Sequence, residues 1–229
     1  MRTLFYVPII HTSADMGSLA KAIEERGIAG FGKEFWAEHE STVLGFWDTV
    51  VKYFAGVDVA DFRIYQDGMI VDDAAGQHIV DEGFKAGSRN YELVAMLLKR
   101  GAMLVKTEDL NLVKAERDNL LKITNAKSLP SKLLAYVKYR LTKNMLLKKR
   151  DEYIVRQIEK TLPADGTGIL FIGAYHNARA MFSGEMKIIE VKDIGKVREY
   201  QELLPFHAKN KKYFAELADY LLSEIRCTK

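Results

Sequence analysis

Gly168-Ile169-Leu170-Phe171-Ile172-Gly173-Ala174-Tyr175-His176-Asn177 is a short apolar run that ends in glycine and then delivers a histidine. An unbroken apolar stretch of this length suits a strand buried on both faces, the kind that builds a parallel sheet. Sheets of that kind place ligands just beyond the carboxyl ends of their strands, so His176 falls where a site belongs. The N-terminus repeats the arrangement, with Leu4-Phe5-Tyr6-Val7-Pro8-Ile9-Ile10 running into His11. Two strands that both end in histidine point to one shared site.

Working outward, strands are expected at about 3–10, 62–67, 102–107, 168–173 and 186–191, with helices between them. This alternation predicts an α/β fold: a mostly parallel sheet of about five strands, covered by helices on both faces. The 229 residues, 48% hydrophobic and 28% charged, suit one α/β domain spanning 1–229. Helix boundaries are marked by caps. Asp15-Met16-Gly17-Ser18 opens a helix that Gly27 should stop after Arg26. Ser88 caps a helix that Gly101 ends. Thr107 is a cap ahead of Glu108 and Asp109, acids that favour a first turn. A long aromatic helix is expected from about Glu34 to Ala55. Its Phe35-Trp36, Phe46-Trp47 and Tyr53-Phe54 pairs read as core, or as a homodimer face if they are exposed.

The segment 109–160 is a helical-hairpin insertion, interrupted at Ser128-Leu129-Pro130-Ser131. Its second helix would be about 45 Å long at 1.5 Å per residue, whereas a six-residue strand spans only about 20 Å. The last dozen residues cross the sheet and the rest overhangs. Arg150 then lies near the carboxyl edge, level with His176, and the hairpin projects above it like a lid. From Asn119 to Arg150 the chain has nine basic residues and no Asp or Glu, against a net charge of +3 for the whole protein. Leu134, Val137, Leu141 and Met145 recur at helical spacing and read as the hairpin's own core.

Four strand ends deliver polar residues to one edge: His11, Asp67, Thr107-Glu108 and His176. His11, His176 and Asp67 form a ligand set suited to Zn, Mn or Fe, with open positions for water. Such a metal would generate a nucleophile near neutral pH. Without it, a histidine can serve as general base, oriented by Asp67 or Glu108. Arg150 can stabilise developing negative charge. Ser88, Arg89 and Asn90 open a helix toward the same edge and offer anion-binding amides. Lys138 and Arg140, interleaved with Tyr136 and Tyr139, admit capture of an anionic ligand or of nucleic acid. Each of these residues also has a structural reading, as a cap, a turn or a solvated face.

The exclusions are firmer. There is no P-loop lysine pattern, no G-x-G-x-x-G and no G-x-S-x-G elbow. The single cysteine, Cys227, rules out a disulfide framework or a Cys-based metal site. No apolar run reaches the ~20 residues of a membrane span, and the first apolar run is too short for a secretory leader. A cytoplasmic protein with no membrane partner is expected.

Lys149-Arg150-Asp151-Glu152-Tyr153, heading a helix that leads into Gly173-Ala174-Tyr175-His176, resembles the C-terminal half of the TraB, Tiki and erythromycin-esterase-like superfamily. Members carry two G-x-x-H motifs, acidic residues and an arginine at one site. Some are metal-dependent proteases, some are hydrolases with a histidine base, and others bind haem or peptides. Pro8-Ile9-Ile10-His11 has Pro where the first motif has Gly, and Asp67 stands nearest the expected early Glu. The resemblance implies a site containing His11, His176 and Arg150. Residues and resemblance together lead to a metal-assisted hydrolase acting on an anionic or peptide-like substrate, with Glu108 as a second acid. The competing classes are a sensor that binds a small anion or nucleotide, and nucleic-acid binding through the hairpin.

Overall fold

The computed structural model describes residues 1–12, 14–15, 20–124, 126 and 128–225. Five strands form one all-parallel sheet in the order β3-β2-β4-β1-β5. They are β1 (Thr3–Ile9), β2 (Arg63–Gln66), β3 (Met103–Val105), β4 (Thr167–Gly173) and β5 (Lys187–Glu190). The registers pair Ile9 with Gly173 and Gln66 with Phe171, so β1 and β4 end level and β2 ends two residues short of them.

Alternation along each strand sends side chains into two separate cores. Val7, Ile9, Ile64, Ile169 and Phe171 pack on one face, against α2 (Lys33–Ala55), α4 (Arg89–Lys99), α7 (Ile194–Leu203) and α8 (Lys211–Leu222). Leu4, Tyr6, Tyr65, Leu170 and Ile172 pack on the other, against Ile154, Val155 and Ile158 of α6 (Leu129–Thr161). The remaining helices are α1 (Ala20–Phe31), α3 (Asp73–Lys85) and α5 (Leu110–Thr124). The chain leaves β1 toward the first face, where α2 lies, and leaves the adjacent β4 toward the second, where Ala178 lies. Neighbouring strands whose exits diverge in this way open a crevice at their carboxyl ends.

Several local expectations are corrected. Gly27 does not stop α1, which continues to Phe31. A Cβ on Gly27 would lie 2.4 Å from the Trp36 ring, so this glycine admits close packing, and the positive-φ residue at the helix end is Gly32 (φ 86). The proposed start at residues 16–18 lies outside the described residues, as does Cys227. Thr107 does not cap α5. Its Oγ1 accepts from Gln66 N at 3.0 Å and donates to Val105 O, tying β2 to the end of β3, while Asp109 Oδ1 caps Asn111 N and Leu112 N.

The aromatic helix goes to the core, with Phe46, Trp47 and Phe54 fully buried, so it offers no exposed dimer face through them. The hairpin overhangs the sheet as its length requires, and Ser128 and Ser131 cap α6 reciprocally. Its apolar stripe is the surprise. Leu134, Val137, Leu141 and Met145 are exposed, because α5 packs on a different face of α6. No helix among the described residues is long and apolar enough to cross a membrane.

Candidate functional site

A cavity of about 590 Å³ opens at the carboxyl edge of β1, β2 and β4, beneath the hairpin. Its walls come from strand ends (His11, Gln66, Asp67, His176), from α4 (Asn90, Tyr91) and from the hairpin (Glu116, Tyr139, Lys143, Arg150). His11 and His176 therefore share one cavity with Asp67.

Arg150 is the hub of a buried network. Its Nη2 donates to Asp67 Oδ1 at 2.6 Å and to Glu108 Oε1, its Nε to Glu108 Oε2 at 3.2 Å, and its Nη1 to Glu116 Oε2. Glu108 is fully buried and Arg150 nearly so. A guanidinium out of water needs such partners, since burial opposes its charge and the carboxylates restore it. Burial, reinforced by the charge of Asp67, pushes Glu108 up to about 7 while Arg150 pulls against it. Glu108 is thus a wall behind the arginine rather than an acid in a helix's first turn.

His176 is clamped between two carboxylates. Its Nδ1 lies 2.6 Å from Asp151 Oδ1 and its Nε2 3.5 Å from Asp67 Oδ2. Asp151 is also held by the backbone N–H of Asn177 at 2.9 Å. Burial works against a charged imidazole here, yet Asp67 and Asp151 outweigh it and raise His176 to about 10. Asp67 lies well below the ordinary carboxylate range: burial opposes its charge, but His176, Arg150 and His11 overcome that. The glycine of Gly173-Ala174-Tyr175-His176 has a direct reason. Gly173 N donates to Asp67 Oδ2 at 3.0 Å, and a Cβ there would sit 3.2 Å from that same oxygen. Arg198 pins the turn that follows, donating to Ala174 O at 2.8 Å and His176 O at 3.2 Å.

His11 stands at the rim, its side chain about half exposed, with Nδ1 4.0 Å from Asp15 Oδ2. Asp15 is fixed by Thr12 N, Thr12 Oγ1 and Ser88 Oγ. Ser88 thus anchors Asp15 and caps α4 through Tyr91 N. Arg89 turns to Asp48 and Glu92, leaving Asn90 as the member of that trio that lines the cavity. Lys138 and Arg140 are exposed and do not line it, whereas Lys143, over the Tyr175 ring at 5.2 Å, does. The side chain of Tyr136 lies outside the described part of the structure.

Three carboxamides border the cavity with buried oxygens that, among the described residues, lack a hydrogen-bond partner: Gln66 Oε1, Asn90 Oδ1 and Gln201 Oε1. Gln66 and Asn90 are each 2% exposed. An unmet buried polar group costs about 1–3 kcal/mol, so these oxygens are a strain behind the cavity wall. As a metal cage the same residues are poorly disposed. Asp67 spends one oxygen on Arg150 and the other on Gly173 N and His176, so its lone pairs are already engaged. Among the described residues no group of three or more His, Cys, Asp or Glu side chains is placed to hold a metal ion.

Asp151, Glu116, Gln66 and Gln201 were not singled out as site residues from the sequence. Asp151 had one available signal, its place beside Arg150 on a helix. Adjacent helical residues diverge by about 100°, so one faces Asp67 and the other His176. The solvated-face reading of this pair fails, since Arg150 is 6% and Asp151 2% exposed.

Comparison of the chain with protein-family models, with curated proteins and with solved structures finds no match. The resemblance to the TraB, Tiki and erythromycin-esterase-like superfamily therefore rests on the Gly173–His176 motif and the Arg150 helix alone.

Proposed function

We propose that the protein is a hydrolase that cleaves an amide or peptide-like bond in the cavity beneath the hairpin. The clamped, charged His176 carries this reading. A positive charge fixed in a partly dry cavity is what a developing oxyanion requires. Four of the five Arg150 N–H groups already point to carboxylates, whereas His176 Nε2 faces Asp67 at 3.5 Å, the looser of its two contacts, and is the N–H left to meet the oxyanion. His11 takes the proton from water, oriented by Asp15, and the water oxygen adds to the carbonyl carbon. His11 then returns the proton to the leaving nitrogen, giving a carboxylic acid and an amine. Asp67 and Asp151 are positioning residues that keep His176 charged.

The charge balance favours a neutral amide over an anion, since the carboxylates in and behind the cavity wall (Asp15, Asp67, Glu108, Glu116, Asp151) outnumber Lys143, Arg150 and His176. A panel of peptide amides and anilides tests the proposal. His11→Ala should lower kcat/KM about 10²–10⁴-fold and His176→Ala about 10²–10³-fold, with circular dichroism unchanged. Added Zn or Mn, or EDTA, should leave the rate unaltered. A rate that depends on metal would replace this scheme with the metal-assisted one. Tight ligand binding with no turnover of any panel member would favour the sensor.

A further inference from the structure

A second cavity, of about 470 Å³, adjoins the first, and His11 and Gln201 line both. Its wall is of another character, with Ile10, Ile23, Trp36, Val43, Leu44 and Leu204 around it and, among the described residues, no lysine or arginine. This is a half-open apolar cleft, and its volume falls in the range of ligand pockets. The wall is also specifically built. Trp36 is 8% exposed and stacks on Phe31 with centroids 6.2 Å apart. It can sit there only because position 27 is glycine, since a Cβ would come within 2.4 Å of the ring. Among the described residues neither Trp36 Nε1 nor Gln201 Oε1, at the junction of the two cavities, has a hydrogen-bond partner, and both atoms are closed to solvent.

We infer that the substrate is an N-acyl amide whose apolar acyl arm fills this second cavity while its amide lies against His11 and His176. The inference rests on the hydrolase reading for the bond that is cut, but the acyl chamber stands on its own geometry. An anionic arm is disfavoured, because Glu40 lines the chamber and, among the described residues, no Lys or Arg does. His11, at the junction, is where a bond between arm and head group would be presented to water.

The test is calorimetric titration with N-acylglycinamides carrying acetyl, butyryl, hexanoyl and octanoyl chains, alongside hydrolysis assays on the same compounds. Affinity should rise about fourfold per added methylene until the chamber is full. Leu44→Trp at the half-exposed rim and, separately, Ile23→Phe on α1 should flatten that rise while acetyl binding persists. Either variant suffices if the other fails to fold. Affinity independent of chain length, or a rise that survives in both folded variants, overturns the chamber. Chain-length dependence without hydrolysis would leave the chamber standing and remove the hydrolase. Equal hydrolysis of acetyl and octanoyl compounds would do the reverse.

Discussion

His176 keeps its proton to about pH 10 in the folded chain, against 6.5 for an ordinary imidazole. Between those values the folded protein holds a proton that the unfolded chain has released. Stability is therefore fully present below pH 6.5 and is lost as pH rises toward 10. At about 1.4 kcal/mol per pH unit the whole window amounts to at most ~5 kcal/mol. Lys192 acts in the opposite sense, since burial lowers its amine from 10.5 to about 8, and it adds stability as pH rises above 8. Between pH 6.5 and 8 His176 should withdraw about 2 kcal/mol; Glu108, raised to about 7, withdraws stability in the same direction in the lower part of that interval, so the measured quantity is the difference from a His176 variant. Urea unfolding of the wild type and of His176→Gln at several pH values across that interval isolates the effect, because the other groups are common to both. The wild-type curve should fall by about 2 kcal/mol relative to the variant, and Asp151→Asn should give an intermediate slope. An NMR titration of the His176 ring supplies the direct value. Parallel curves, or a ring titrating near 6.5, would show an imidazole that is neutral at physiological pH, and the oxyanion role assigned to it would go.

Other perturbations have equally definite outcomes. Arg150→Met strands Glu108 and Asp67 and should cost about 3–5 kcal/mol in urea melts; adding Glu108→Gln should recover a measurable part, and failure to recover any would show that the two groups are not coupled. Leu134→Asp and Leu141→Asp should change stability by less than about 0.5 kcal/mol, as expected of exposed positions; a loss above 2 kcal/mol by thermal melting would mean the stripe is packed. Charge reversal at Lys138 and Arg140, outside the cavity, should leave substrate KM unchanged, while Lys143→Glu at its wall should shift it; the opposite ranking would restore a capture role to the outer face of the hairpin.

The sheet was legible because its signals are local and physical. Gly168 to Gly173 and Leu4 to Ile10 are buried on both faces, so they read as unbroken apolar runs, and all five expected strands fall within two residues of their observed bounds. The overhang of α6 followed from comparing the rise per residue of a helix with that of a strand. Helix ends were less legible. Gly27 has the composition of a stop, but its smallness serves Trp36, a contact that pattern cannot show. Thr107 has the composition of a cap, but tertiary bonds to Gln66 and Val105 claim its hydroxyl. The Leu134–Met145 stripe has core periodicity, and only the side on which α5 packs decides that it faces water.

The site was legible as a place and not as a mechanism, for a reason visible in Arg150. Chain order shows that an arginine, two histidines and several acids arrive at one edge. It does not show which acid meets which base, and that pairing settles every role. Had Glu108 and Glu116 lain elsewhere, Arg150 would face the cavity as an anion-binding fork; with both in place its charge is consumed. Had Asp151 pointed to solvent, His176 would be an ordinary base or a metal ligand; pointing inward, it joins Asp67 in turning the same ring into a fixed cation. The balance of the cluster, rather than any one residue type, therefore moves the functional reading from binding an anion or a metal toward meeting negative charge as it forms on a neutral amide.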